Sequence, residues 1–300
     1  MQFDMATISI SSNDLPGLYR TADSISETSQ KEYFNLALGY MAFLFIGSML
    51  AFLTTFWPTS KLIAIASAVS FLGSLSLILF IYFQRPETAW YSARAVAESV
   101  KTRAWRWMMR AEPYTERERI EQARIELIND MKAILDQNRE MANRIGGEHC
   151  NGDAITEKME EVRAMDFSDR FALYKQARIN DQLDWYQQKT LWNRSKSKQW
   201  LSVSIGLNVC AIILLLVKIA EPNHTLPIEI VAFLAGAALT WTQMKKFREL
   251  ATSYGLAAHE ITLIKAEAAN VSSESQFSEF VLNSENAFSR EHTQWVARKE

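Results

Sequence analysis

Arg94, Glu98, Lys101 and Trp105 are spaced by four, three and four residues, so on a helix they share one face with Tyr91. Arg103, Arg106, Trp107 and Arg110 flank that face. Cations interleaved with tryptophans neutralise phosphates while offering rings on which bases stack. Arg94, Lys101, Arg103, Trp105, Arg106 and Arg110 are therefore candidate contacts for a nucleotide or short oligonucleotide. The same residues also suit a basic collar with interfacial tryptophans beside a membrane. In a straight helix Arg103 lies roughly 30 Å beyond Ile81, too far to serve lipid headgroups, whereas a kink at Pro86 returns it toward them. Both readings stay open on the sequence.

Other chemistry is sparse. His149-Cys150 sits in a glycine-bearing loop, but adjacent residues rarely meet in attack geometry and no third member is evident. The 4 histidines show no metal-ligand spacing, and no glycine loop cradles a phosphate. No catalytic residue, metal or cofactor is expected. Cys150 and Cys210, the 2 cysteines, offer no disulfide framework. Among apolar residues, Ser67, Ser70 and Ser74 form a small-residue stripe beside Ala66 and Gly73, suited to close helix packing or to lining water. Asn208 is costly to leave in lipid, so it should face a partner helix or a lumen. Glu229 lies one turn inside an apolar run, in a wet interface or at an outer mouth. No acid lies at mid-membrane, which disfavours a proton- or cation-coupled transporter.

The elements that must position these groups are set by uneven hydropathy. The chain has 300 residues, 32 basic and 34 acidic, for a net charge of −2, and its mean hydropathy is −0.10. That average conceals four nearly uncharged stretches. Phe34 to Phe56 and Leu62 to Phe83 are separated only by Trp57-Pro58-Thr59-Ser60-Lys61. Trp200 to Ala220 and Leu226 to Met244 are separated by Glu221-Pro222-Asn223-His224-Thr225, with Lys218 and Glu229 near the link. A hydrocarbon core of ~30 Å needs roughly 20 helical residues, so each run is long enough, and each short link dictates an antiparallel hairpin. The expected fold is an all-α membrane protein, with four transmembrane helices in two hairpins and long cytoplasmic helical extensions. Its divisions are an arm over 1–33, a hairpin over 34–83, a helical region over 84–199, a second hairpin over 200–244 and terminal helices over 245–300. The first 33 residues are polar and acidic, so no secretory signal is expected.

Orientation follows from basic residues near the span ends. Arg85, Arg94, Lys101, Arg103, Arg106 and Arg110 follow the first hairpin; Lys189, Arg194, Lys196 and Lys198 precede the second; Lys245, Lys246 and Arg248 follow it. The links carry only Lys61 and Lys218. Both termini and the central segment are therefore expected in the cytoplasm. There, Ile120, Leu127, Ile134 and Met141 recur every seven residues, predicting a bundle helix from Arg117 to Ile145. Gly146 to Gly152 reads as a loop. One helix is expected from Ser168 through Ala220, and another from the fourth span past Phe247 toward Asn270.

The chain is also duplicated in outline. Leu18-Tyr19-Arg20-Thr21-Ala22 before the first hairpin is echoed by Leu173-Tyr174-Lys175-Gln176-Ala177 before the second, and Tyr91 and Tyr254 each follow a hairpin. Tyr174 through Lys189, with Phe288-Ser289-Arg290-Glu291-His292-Thr293-Gln294-Trp295, resembles the SLATT family. So does the first half, through Leu15-Pro16-Gly17-Leu18-Tyr19-Arg20-Thr21-Ala22-Asp23 and the helix from Tyr91 to Thr102. The halves diverge after their spans, where Arg94 and Glu98 are answered by Ala257 and Ile261. The resemblance implies bacterial two-span effector domains, encoded beside nucleotide-generating or nucleotide-sensing partners, that form a pore in antiphage conflict. It implies residence in the bacterial inner membrane and a signal made by a nucleotidyltransferase. Four helices pack without a lumen, so conduction would need a homo-oligomer, for which a tetramer is the working expectation. The alternative function is a non-conducting anchor whose helical stalk recruits partners.

Overall fold

A computed structural model of the chain describes residues 10–115, 120–138 and 152–297. The described residues are helical, with no strand among them. In chain order they form α1 (Gly17–Leu53), α2 (Lys61–Gln84), α3 (Pro86–Met108), α4 (Ile120–Gln137), α5 (Glu157–Ala164) and α6 (Phe167–Tyr174). A π-helical turn, Lys175–Asn180, joins α6 to α7 (Asp181–Ala220); α8 (Ile228–Lys245), α9 (Phe247–Glu267) and α10 (Glu274–Ala297) follow.

The chain divides into two compact units. One draws on the described parts of Met1–Gln30, Glu87–Gln188 and Ser253–Glu300; the other on Lys31–Pro86 and Lys189–Thr252.

The first unit has an ordinary buried core. It is built around α3, where Ala93, Val96, Ala97, Val100, Ala104 and Trp105 are buried together with Tyr19, Tyr174, Ile261 and Phe277. Alanines at close spacing let neighbouring helices approach α3 on several sides, which explains why it buries nearly its whole length. In α4 the buried residues are Ala123, Leu127 and Met131, while Ile120, expected in that stripe, is exposed. The rest of the predicted Arg117–Ile145 helix and the His149-Cys150 loop lie outside the described residues.

The N-terminal strap is fixed by backbone contact. Gly17 N–H donates to Asp153 O at 2.9 Å, and Thr156 Oγ1 donates to Asp14 O at 2.6 Å while accepting from Met159 N to cap α5. A Cβ on Gly17 would stand 2.8 Å from the carbonyl oxygen of Gly152, itself at φ +131°, so only glycine fits.

The second unit is apolar outside as well as in. Leu62, Ile65, Leu72, Leu201, Ile212 and Ile219 are among its exposed side chains, the distribution expected where lipid is the solvent. Three helical stretches are long and apolar enough to cross a membrane: Gly17–Leu53, Lys61–Met108 and Phe167–Ala220. The fourth expected span is a shorter helix than the Leu226–Met244 run suggests. Pro227 delays its start, and its 18 residues include Glu229 in the first turn and Lys245 in the last, so it is not among the three.

Helices α1 and α2 pair through notches. Ser67 Oγ donates to Gly47 O at 2.8 Å, a Cβ on Gly47 would meet the Phe71 ring at 3.0 Å, and one on Gly73 would meet Phe43 at 2.9 Å. Ser70 and Ser74 are likewise buried, bonded back to Ala66 O and Phe71 O. The serine stripe is a packing face within the chain. Helix α8 meets α1 through Phe45–Phe233 and Phe34–Trp241, with Lys245 Nζ 3.2 Å from the Phe34 ring centroid.

Neither hairpin leaves as a straight helix. Arg85 (φ 46°) and Lys246 (φ 50°) each take the left-handed conformation, with their N–H groups bonded to Ile81 O and Thr242 O. Pro86 explains the first break, since its ring disfavours a helical preceding residue and it is well tolerated as a first helical position. The second corrects the expected continuous run past Phe247: a one-residue αL cap separates α8 from α9.

Replacing Gly17 by alanine should lower the stability of the detergent-solubilised protein by about 1–3 kcal/mol, because backbone rather than a flexible side chain opposes the added methyl. A denaturation midpoint unchanged from wild type would contradict this.

Candidate functional site

The aromatic–cationic face predicted on α3 is divided by the fold. Trp105 is 2% exposed and packs edge-on against Tyr174, so its ring offers no surface for a base. Trp107 is also buried, under the Arg163 guanidinium at 4.8 Å.

Beyond Trp105 the arginines serve the end of the helix. The last carbonyls of a helix have no partner within it, and burial makes that costly. Arg163 donates to Trp107 O and to Tyr114 O. Arg170 donates to Met109 O and Met165 O and pairs with Glu274. Arg106 donates twice to Glu112 O, and Arg110, at φ 54°, donates to Arg163 O. Cations at a helix C-terminus also complement its dipole. Burial, followed by the neighbouring Arg110 and Arg170 charges, pulls the Arg163 pKa down to about 10. Arg103 pairs with Asp130 at 3.4 Å, and Tyr114 donates its hydroxyl to the same carboxylate.

The N-terminal part of the face remains a charge cluster. Arg94 pairs with Glu98 at 2.6 Å and with Asp23 at 3.3 Å. Burial works against the Arg94 charge, but Glu98 and Asp23 more than reverse it and raise its pKa. Asp23 is itself raised, by burial, with Arg94 opposing.

Close to this cluster lies a pair that sequence reasoning missed. Arg178, on the π turn, donates from Nε and Nη2 to the two oxygens of Glu285 on α10, at 2.8 and 2.7 Å. Tyr174 donates its hydroxyl to Glu285 Oε1 at 2.9 Å. All three are essentially out of water. Burial opposes the Arg178 charge, yet Glu285 raises its pKa overall; burial and then Glu285 push the Tyr174 hydroxyl well above its usual range. Glu285 was detectable only as a lone acid in the apolar run Phe280-Val281-Leu282-Asn283-Ser284-Glu285-Asn286-Ala287-Phe288.

Two cationic groups here are not fully used. Arg178 Nη1 is buried with no hydrogen-bond partner among the described residues. Lys101 lies within reach of the same charges: burial and then Arg178 lower its pKa, Arg94 adds to that, and Glu98 and Glu285 oppose. No hydrogen bond or ion pair of Lys101 is found among the described residues. A small anion with several acceptor oxygens would satisfy both.

In the apolar unit, Asn208 of α7 is exposed, with Nδ2 bonded only to Ser204 O at 2.8 Å. It meets no partner helix among the described residues.

Comparison with protein families gives two matches. Residues 16–171 match the SMODS and SLOG-associating 2TM effector domain 3 (SLATT_3), and residues 174–295 match domain 1 of that series (SLATT_1). The chain belongs to the SLATT family. No curated protein and no solved structure matches it. SLATT domains are membrane effector domains associated with defence systems, and this chain carries two in tandem. The first SLATT domain supplies Arg94, Glu98 and Lys101 to the charge cluster; the second supplies Tyr174, Arg178 and Glu285. Their boundary falls at the end of α6, which continues through the π turn, so no linker separates the two domains.

Removing one partner of the buried pair, as in Glu285→Ala, should destabilise the protein by about 3–5 kcal/mol. The double variant Arg178→Met, Glu285→Leu should recover most of that loss. Equal losses in both, measured by denaturant titration, would refute the charge argument.

Proposed function

We propose that this tandem SLATT protein is a pore-forming effector of a bacterial antiphage system. It acts as a homo-oligomeric ion channel of the inner membrane, gated by a nucleotide or oligonucleotide from a partner nucleotidyltransferase. Each part of this reading has its own support.

Topology is supported by the make-up of the first unit. Segments before the first hairpin, between the hairpins and after the second fold together. A packed unit with polar backbone and charged side chains cannot straddle hydrocarbon, so its three segments share one side. On this reading each apolar hairpin enters and returns, which supports a crossing for α8. At 1.5 Å per residue α8 is about 27 Å long, with Glu229 and Lys245 at opposite ends near the two interfaces. Lys189, Arg194, Lys198, Lys246 and Arg248 near the spans favour the cytoplasm as the common side.

The observation that supports gating is a buried Arg178 Nη1 without a hydrogen-bond partner near a Lys101 that makes no hydrogen bond or ion pair, both among the described residues. Arg106 and Arg110 are engaged with carbonyls, so the candidate site contracts to Lys101 and Arg178, with Arg94 beside them. The phosphate of a nucleotide would supply negative charge and acceptor oxygens for these two groups. Arg178 sits on the turn leading directly into α7, so a ligand there acts on a helix that enters the apolar unit. Shifting a channel from 1:99 to 99:1 open takes about 5.5 kcal/mol of differential affinity, within reach of a few charge-assisted hydrogen bonds.

Planar-bilayer recording of the purified full chain tests this, with cyclic dinucleotides and short oligonucleotides as probes. Lys101→Met should not lower the denaturation midpoint, since it removes a charge that burial disfavours. It should weaken the response by roughly 10- to 100-fold, the worth of a charge-assisted hydrogen bond. A wild-type protein that passes no current with or without nucleotides would favour the anchoring role instead.

A further inference from the structure

Helix α7 carries a second pattern besides the apolar composition that suits lipid. Leu201, Ile205, Asn208, Ile212, Leu215 and Ile219 follow one another at intervals of four, three, four, three and four. That is the spacing of a heptad seam, in which alternate positions stay aligned toward one partner helix. The apolar members are 60%, 56%, 57%, 50% and 69% exposed in the chain, and Asn208 is exposed with them. The chain's own contacts use a different face, since Ser204, Leu207, Ala211, Leu214 and Lys218 are the half-covered residues of this segment. The seam is about 27 Å long, one hydrocarbon thickness, and gives way to Lys198 and Arg194 at the next heptad positions toward the N-terminus.

Asn208 decides what covers this face. Its amide donates one N–H to Ser204 O, and its second N–H and its carbonyl oxygen have no partner among the described residues. Acyl chains offer nothing to either group. An asparagine amide is donor and acceptor at once and is therefore complementary to its own copy. Copies of one chain insert with the same orientation, so their α7 helices run parallel and place Asn208 at equal depth. A single buried asparagine in such a seam is a well-attested device for fixing register and oligomeric state.

We propose that the Leu201–Asn208–Ile219 face of α7 is the surface through which copies of this protein associate in the membrane, with Asn208 bonded to Asn208 of the next copy. The inference rests on the reading that α7 spans the bilayer in a homo-oligomer. It does not depend on conduction or on the nucleotide. The small residues of α2 are spent inside the chain, so the two faces divide the work: serine and glycine hold the first hairpin together, and the α7 seam joins chains.

The test is disulfide cross-linking of the full chain in native membranes, in a Cys150→Ser, Cys210→Ala background. Single substitutions Ile205→Cys, Asn208→Cys and Ile212→Cys should give covalent dimers on mild oxidation. Yields should be several-fold higher than for Val203→Cys and Val217→Cys, which are exposed on the opposite side of the same helix. In the native-cysteine protein, Asn208→Leu should weaken self-association by about 3- to 30-fold per helix pair, as expected for one interhelical polar contact, while Asn208→Gln retains it. Equal cross-linking on both sides, or no effect of Asn208→Leu, would overturn the seam. Carbonate extraction of the same membranes separates the failures. Release of the protein would overturn the spanning reading itself, whereas retention without seam-specific dimers overturns only the interface.

Discussion

A guanidinium and a carboxylate taken out of water together set the terms for the whole first unit. Arg178 and Glu285 are 107 positions apart, yet each is intelligible only through the other. Desolvating either charge alone costs several kcal/mol, and the bidentate geometry with the Tyr174 hydroxyl offsets that cost only if all three groups meet within hydrogen-bond tolerance. The pair therefore fixes the register of α10 against α6 and the π turn. A π turn closes its hydrogen bonds one residue later than an α turn and rotates the following helix face. That rotation lets Tyr174 before it, Arg178 within it, and Leu183 and Tyr186 after it all turn inward.

The two SLATT domains solve one packing problem differently. In the first, α3 keeps Arg94 and Glu98 as a partly buried ion pair. In the second, the corresponding positions of α9 are Ala257 and Ile261, both buried and apolar. Exchange of an internal ion pair for hydrocarbon is usually neutral or favourable for stability, so retention of charge in the first domain is more economically explained by use than by folding. Arg178 Nη1, buried and without a hydrogen-bond partner among the described residues, belongs to the second domain and interacts with the retained Glu98 charge of the first.

Membership in a class of membrane proteins was plain in the sequence, and much of the site was not. Runs such as Phe34–Phe56 announce themselves because lipid leaves a helix no alternative to apolar side chains. The fourth run was less legible: Pro227 delays the start of its helix, and Glu229 and Lys245 within its end turns lower its apolar character. On α3, periodicity correctly grouped Arg94, Glu98, Lys101 and Trp105 on one face, but periodicity cannot say whether that face meets water or another helix. Trp105 and Arg106 proved to be core, because helices from both ends of the chain close over them. The Arg163 and Arg170 contacts with carbonyls at and just beyond the end of α3 were invisible for the same reason, since a backbone acceptor leaves no residue-type signal. Glu285 needed its distant partner to become meaningful.

The left-handed residues at Arg85 and Lys246 give the two hairpins a shared mechanical asymmetry. On the inbound side α1 and α7 run into the apolar unit as uninterrupted helices, with each hydrogen bond supporting the next. On the outbound side a single αL residue breaks the ladder after α2 and again after α8. Each αL residue keeps its own N–H bonded to the helix it ends, so the chain changes direction after α2 and after α8 without leaving that donor unsatisfied.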